Sequence, residues 1–132
     1  LLVKPLTFMN LSGQALRKLE GLDPSSLLVI CDDINLPLGS IRIRTSGGTG
    51  GHRGLESIEE VLGTPGFPRL RMGCGPAPEG EEWSSFVLGR FGPAEEPGHR
   101  RLVADAVDAV ETAVRRDLRT AMNDFNRRQE TD

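Results

Sequence analysis

The sequence predicts a three-layer α/β fold, laid out as a single domain over residues 1–132. Short apolar runs of strand length alternate with segments whose apolar residues recur every three to four positions. A chain of 132 residues suits one domain with its own core and leaves no room for two. Hydrophobic residues at 37% and charged ones at 27% exclude a disordered tail. No apolar run approaches the roughly 20 residues that span a bilayer, and no charged start followed by an apolar stretch marks a signal peptide. A cytoplasmic protein is expected.

Leu1-Leu2-Val3-Lys4-Pro5-Leu6 reads as a strand already in progress, and the chain does not open on Met, so a missing N-terminus is expected. Asn10-Leu11-Ser12-Gly13 offers capping groups, and Leu11, Ala15, Leu16 and Leu19 recur at helical spacing up to Gly21. Asp23 to Ser26 is a turn. Leu27 to Cys31 is a continuous apolar run of the kind buried on both sheet faces. Asp32 to Gly39 then forms a loop off its carboxyl end, and Ile41 to Arg44 alternates as a half-exposed strand. Ser46 to Gly54 is a glycine-rich loop that feeds a helix over Leu55 to Leu62. Pro65 to Pro68 breaks it, and Arg69 to Gly75 is another strand. Residues 76–92, with Trp83, Phe86, Val87 and Leu88, form an exposed lid-like segment. Pro93 to Arg116 carries Leu102, Val103, Ala106, Val107, Val110 and Val114 on one face of an amphipathic helix.

The net charge of −3 argues against a protein that coats itself in nucleic acid, but distribution matters more than the sum. From 40 to 72 five arginines face three acids, whereas from 93 to 132 seven arginines face nine. The middle third therefore suits a local anionic ligand. Cys31 and Cys74 fit no zinc spacing, with or without His52 and His99, and read as buried free thiols of a reducing compartment.

Three constellations bear on chemistry. Asp32 directly follows an apolar strand, where open α/β sheets place ligand crevices; it either orients a catalytic partner such as a histidine ring or caps a turn with Asp33. The loop Gly47-Gly48-Thr49-Gly50-Gly51-His52-Arg53-Gly54 allows close backbone approach to a ligand, and the following helix offers free N–H groups. It matches neither G-x-G-x-x-G nor the phosphate-loop pattern. Arg42 with Arg44, and Arg69 with Arg71, share faces by their period-two spacing. If the two strands neighbour each other, two guanidiniums can clamp one phosphate; the alternative is a solvated sheet face.

Pro5-Leu6-Thr7-Phe8-Met9-Asn10-Leu11-Ser12-Gly13, Cys31-Asp32-Asp33-Ile34-Asn35-Leu36-Pro37-Leu38-Gly39, Gly50-Gly51-His52-Arg53-Gly54-Leu55 and Phe67-Pro68-Arg69-Leu70-Arg71-Met72-Gly73 together closely resemble the bacterial-type peptidyl-tRNA hydrolases. Phe86 to Phe91 and Ala121-Met122-Asn123 extend the likeness along almost the whole chain. The resemblance implies an α/β domain around a mixed, mostly parallel sheet flanked by helices. The family's N-terminal strand, the loop with its catalytic histidine and the next helix have no counterpart before Leu1. It also implies a cytoplasmic, monomeric hydrolase that cleaves the ester between peptide and tRNA, recycling tRNA from stalled translation without metal or cofactor. By matching positions, Asn10 falls on the residue that holds the substrate carbonyl and water, with Phe8 and Met9 lining the same crevice. Gly50, Gly51, His52 and Arg53 fall on the substrate-binding loop. Asp32 falls on the carboxylate that keeps the catalytic histidine basic, and Arg44 and Arg71 on the pair that clamps the tRNA 5′-phosphate.

One departure stands out: the family's usual His-Asn-Gly is His52-Arg53-Gly54 here. Neither His52 nor His99 lies in the context of the catalytic histidine. The 132 residues are thus expected to be inactive in hydrolysis, and less stable than a complete fold because Leu2 and neighbouring core residues lose cover. Two other readings are a non-catalytic RNA-binding or RNA-processing member of the same family, and an unrelated α/β nucleotide-binding protein.

Overall fold

The computed structural model describes residues 1–76, 79–80 and 89–130, with side chains as far as residue 126. Trp83, Phe86, Val87 and Leu88 of the expected lid lie outside the described residues. The chain forms two compact units, Leu1–Val29 with Thr45–Pro68, and Ile30–Arg44 with the residues from Arg69 onward. The expected fold class, α/β with a mixed sheet flanked by helices, is the one observed.

In the first unit Leu1–Leu6 takes up no regular structure, contrary to the strand expected there. A strand exists only through a hydrogen-bonded partner, and Leu2 is 95% exposed where a core residue was expected. The helix expected up to Gly21 is a tighter 3₁₀ helix, Met9–Leu16. Its Gly13 N–H donates to Ser57 Oγ at 2.9 Å, and a Cβ at Gly13 would come within 3.0 Å of the Ser57 carbonyl and Val61. That backbone-level approach brings the segment against helix α1 (Arg53–Leu62). Helix α1 starts at the His52 cap and ends at Gly63, whose φ of 74° is the left-handed stop. Leu16, Leu55, Ile58 and Phe67 form this unit's core.

Among the described residues the second unit is built on a three-stranded sheet in the order β1-β3-β2. Strand β1 is Val29–Pro37, β2 is Ile41–Arg44 and β3 is Arg69–Gly75. The segment Asp32–Pro37, expected as a loop, continues the strand. In β3, Gly73 and Gly75 lack the Cβ atoms that would strike the carbonyls of Pro37 and Ile34, so the polar stretch lies flat against them. An edge strand tolerates Asp, Asn and Pro because its outer side is not in the ladder. Ile30 is 51% exposed rather than buried on both faces.

Helix α2 (Glu96–Arg115) buries Leu102, Ala106 and Ala109, starting three residues later than expected. Val103, Val107 and Val110 line an apolar depression of about 320 Å³ with Ile30 and Met72. A further helix, α3 (Leu118–Glu130), was not foreseen. Asp117 accepts from Thr120 N–H at 2.6 Å at its start, and Ala121 and Phe125 are buried. No helix among the described residues is long and apolar enough to cross a membrane.

Candidate functional site

The residues singled out by sequence fall into two groups, one in each unit. In the first, Phe8, Met9 and Asn10 stand at the start of the 3₁₀ helix, all exposed. Ser12 Oγ donates to the Met9 carbonyl at 2.7 Å and fixes that turn. A Cβ at Gly54 would meet Met9 Sδ and the His52 ring under 3.0 Å. Gly54 is therefore the point at which the Met9 turn and the glycine loop meet, and only a residue without a side chain allows it. Asn10 makes no side-chain hydrogen bond among the described residues and is exposed to solvent.

The glycine loop is shaped by Gly50 and Gly51, with φ of 59° and 81°. These left-handed values let the chain turn sharply into α1, with the His52 N–H bonded to the Thr49 carbonyl at 3.0 Å. His52 Nδ1 accepts from the N–H groups of Gly54 at 3.1 Å and Leu55 at 3.2 Å. Two of the helix's otherwise unpaired donors are thus satisfied by the ring. The acceptor nitrogen is committed, so the proton of the neutral ring sits on Nε2. His52 acts as a helix cap, and its Nδ1 lone pair is taken by the backbone. Arg53 projects as an exposed cation from the first turn of α1.

In the second unit Asp32 lies within β1, well inside its ends, rather than just beyond a strand. It is half-buried and has interactions of its own. Cys31 beside it is a free thiol pushed up to about 11, by burial first, with Arg71 opposing and the Asp32 charge adding. Burial likewise raises Cys74, again with Asp32 contributing. Both cysteines are half-buried rather than fully buried, and a thiol held protonated is unreactive at neutral pH.

The arginine strands do neighbour each other. Strands β2 and β3 pair antiparallel, with Arg42 opposite Arg71 and Arg44 opposite Arg69. Directly opposite residues share a face, so all four arginines stand on one side of the ladder, and Ile41, Ile43, Leu70 and Met72 on the other. Arg44 and Arg71 are diagonal neighbours, at a separation of about 7–8 Å that long side chains bridge. The face is not uniformly solvated, because Arg69 is 1% exposed. Arg44 Nη1 donates to the Ile43 carbonyl at 3.0 Å. Arg71 Nη1 lies 3.5 Å from Asp33 Oδ2, while Asp33 Oδ1 accepts from Asn35 N–H at 2.8 Å. Asp33 is thus a site residue that sequence reasoning treated only as a turn partner of Asp32.

Comparison with known proteins bears on both groups. A family model described as "Peptidyl-tRNA hydrolase" matches residues 1–132. The peptidyl-tRNA hydrolase of Syntrophomonas wolfei is 49% identical over 130 residues, which cover 96% of this chain and 69% of that protein. That of Synechococcus sp. strain JA-3-3Ab is 48% identical over 128 residues, 95% of this chain and 57% of that protein. The crystal structure of the Acinetobacter baumannii peptidyl-tRNA hydrolase superposes with a TM-score of 0.83 at 34% identity, covering 92% of this chain and 63% of that one. The chain therefore spans between 57% and 69% of the length of these relatives.

Proposed function

The chain belongs to the peptidyl-tRNA hydrolase family, and from that premise we propose that it serves the hydrolysis of the ester joining peptide to tRNA, with Arg44 and Arg71 gripping a terminal phosphate of the tRNA. The diagonal arrangement of Arg44 and Arg71 on one ladder face carries this reading. Two guanidiniums at that spacing match the oxygens of one phosphate, which arginine holds through paired charge-assisted hydrogen bonds. The membership disposes of the unrelated nucleotide-binding protein, and nothing favours the non-catalytic alternative.

The chemistry is general-base hydrolysis. A neutral histidine takes a proton from water, and the nascent hydroxide attacks the ester carbonyl. The tetrahedral oxyanion collapses, and the departing ribose oxygen of tRNA receives the proton from the histidine. Asp32 fits the role of holding that histidine in tautomer and orientation and stabilising its charged form. The Asn10 amide, exposed at the head of its turn, is suited to donate to the oxyanion. Neither His52 nor His99 suits the base: His52 Nδ1 is committed to two backbone donors, and the His99 ring stacks on Phe91 with centroids 4.5 Å apart. A monomer acting in the cytoplasm, in the rescue of stalled translation, completes the proposal.

Turnover of peptidyl-tRNA tests it. In a protein spanning the family's whole length, Asp32→Asn should slow ester cleavage by about 10²-fold or more while leaving tRNA affinity nearly unchanged. Undiminished turnover would remove Asp32 from the mechanism, and cleavage by the 132-residue chain itself would show that the base lies within it.

A further inference from the structure

We infer that Asp33 is a specificity-determining residue, one that holds Arg71 against singly charged phosphodiesters so that the arginine pair yields only to a phosphate monoester. The inference rests on the phosphate-gripping role proposed for Arg44 and Arg71, and it says which phosphate that grip accepts.

The Asp33 carboxylate is held independently of the arginine. Its Oδ1 is bonded to Asn35 N–H at 2.8 Å, which leaves Oδ2 facing Arg71 Nη1 at 3.5 Å. The Asp33 and Arg71 side chains are 11% and 16% exposed, so the pair is only partly screened by water. Any phosphate that engages Arg71 competes with a carboxylate already ordered in place. A backbone phosphodiester carries one negative charge, no more than Asp33 does, and bears its own ordering cost besides. A terminal monoester carries close to two charges at neutral pH and has three strong acceptor oxygens, enough to engage Arg71 and reach diagonal Arg44. Release of the Arg44 contact to the Ile43 carbonyl leaves that oxygen paired, because Asn126 Nδ2 also donates to it at 3.0 Å. Asp33 offsets the charge of Arg71, so a monoanion gains little by replacing it, whereas a dianion brings a second charge to the other arginines of the face. Arg42, directly opposite Arg71, and Arg69, opposite Arg44, draw both phosphates and the dianion more strongly.

Binding of two RNA hairpins that differ only in a 5′-phosphate or a 5′-hydroxyl tests this, using the 132-residue chain, Asp33→Asn, Asp33→Glu and Arg71→Ala, with the fold of each checked by circular dichroism. The amide introduced by Asp33→Asn would keep an acceptor for the Asn35 N–H and put a neutral NH2 in place of the charged oxygen that faces Arg71. The unsubstituted chain should prefer the 5′-phosphate. Asp33→Asn should tighten binding of the 5′-hydroxyl hairpin by about fivefold and shrink the preference by a similar factor, whereas Asp33→Glu should keep the preference. A preference that disappears in Arg71→Ala but is unaltered in Asp33→Asn overturns the inference and leaves the grip standing. So does an equal weakening of both hairpins by Asp33→Asn, which would mean that Asp33 merely orients Arg71. No preference in the unsubstituted chain, with Arg71→Ala indifferent, overturns the grip and this inference together.

Discussion

The side chain of Asn126 forms a paired hydrogen bond with the backbone of Ile43: its Oδ1 accepts from the Ile43 N–H at 2.9 Å and its Nδ2 donates to the Ile43 carbonyl at 3.0 Å. The amide thus does for β2 what a neighbouring strand would do, closing the outer edge of the sheet with a residue from α3. Ile43 is 1% exposed, so its backbone groups have little recourse to water.

Asn126→Ala should therefore cost about 1–3 kcal/mol, the desolvation penalty of a buried N–H left unpaired, while the Ile43 carbonyl keeps its contact with Arg44 Nη1. Chemical denaturation measures it. A loss well under 1 kcal/mol, below the lower end of roughly that range, would mean that water replaces the amide at that edge.

Gly13→Ala should cost about 1–3 kcal/mol, the range of overpacking a tight contact. The new methyl meets the Ser57 carbonyl and Val61, and relieving the clash lengthens the Gly13 to Ser57 hydrogen bond. The thermal midpoint of the variant reports this directly.

Stability should fall between pH 9 and pH 11, the interval set by the two states of Cys31. In the unfolded chain this thiol ionises near its ordinary 9.0, whereas in the folded chain burial holds the proton until about 11. Across that window the folded state binds more protons, so each rise in pH favours unfolding, with a total of at most about 2–3 kcal/mol from this thiol. The raised Cys74 acts in the same direction. Cys31→Ala should flatten the decline; an equally steep decline in that variant would assign it to other groups.

Arg44→Ala should weaken RNA binding and lower the slope of log affinity against log salt by about one. An unchanged salt slope would take Arg44 out of the phosphate contact.

Much of this was legible in the chain itself. The strand Arg69–Gly75 is observed with the predicted ends, and α1 begins within two residues of its predicted start, because hydrophobic period and caps are local properties. Helix α3 is only weakly marked in the sequence: Asp117, Ala121 and Phe125 carry a cap and part of an apolar face, but its many polar residues dilute the periodicity. The extension of β1 through Asp32–Pro37 was illegible, since Asp, Asn and Pro read locally as a loop. What makes a strand of them is the pair of bare glycines in β3, Gly73 and Gly75, which lie far along the chain.

By itself the sequence determined the family, through four ordered motifs, and the shared face of each arginine pair, because side chains two apart in a strand always point the same way. Whether Arg42 and Arg44 stand beside Arg69 and Arg71 was a matter for the tertiary structure, since register between strands depends on the packing of both faces and of the segments between. The same holds for the Asp33 contact to Arg71 and the Asn126 contact to Ile43. A carboxylate or an amide can satisfy itself locally in many ways, and only a folded chain decides which distant partner it meets.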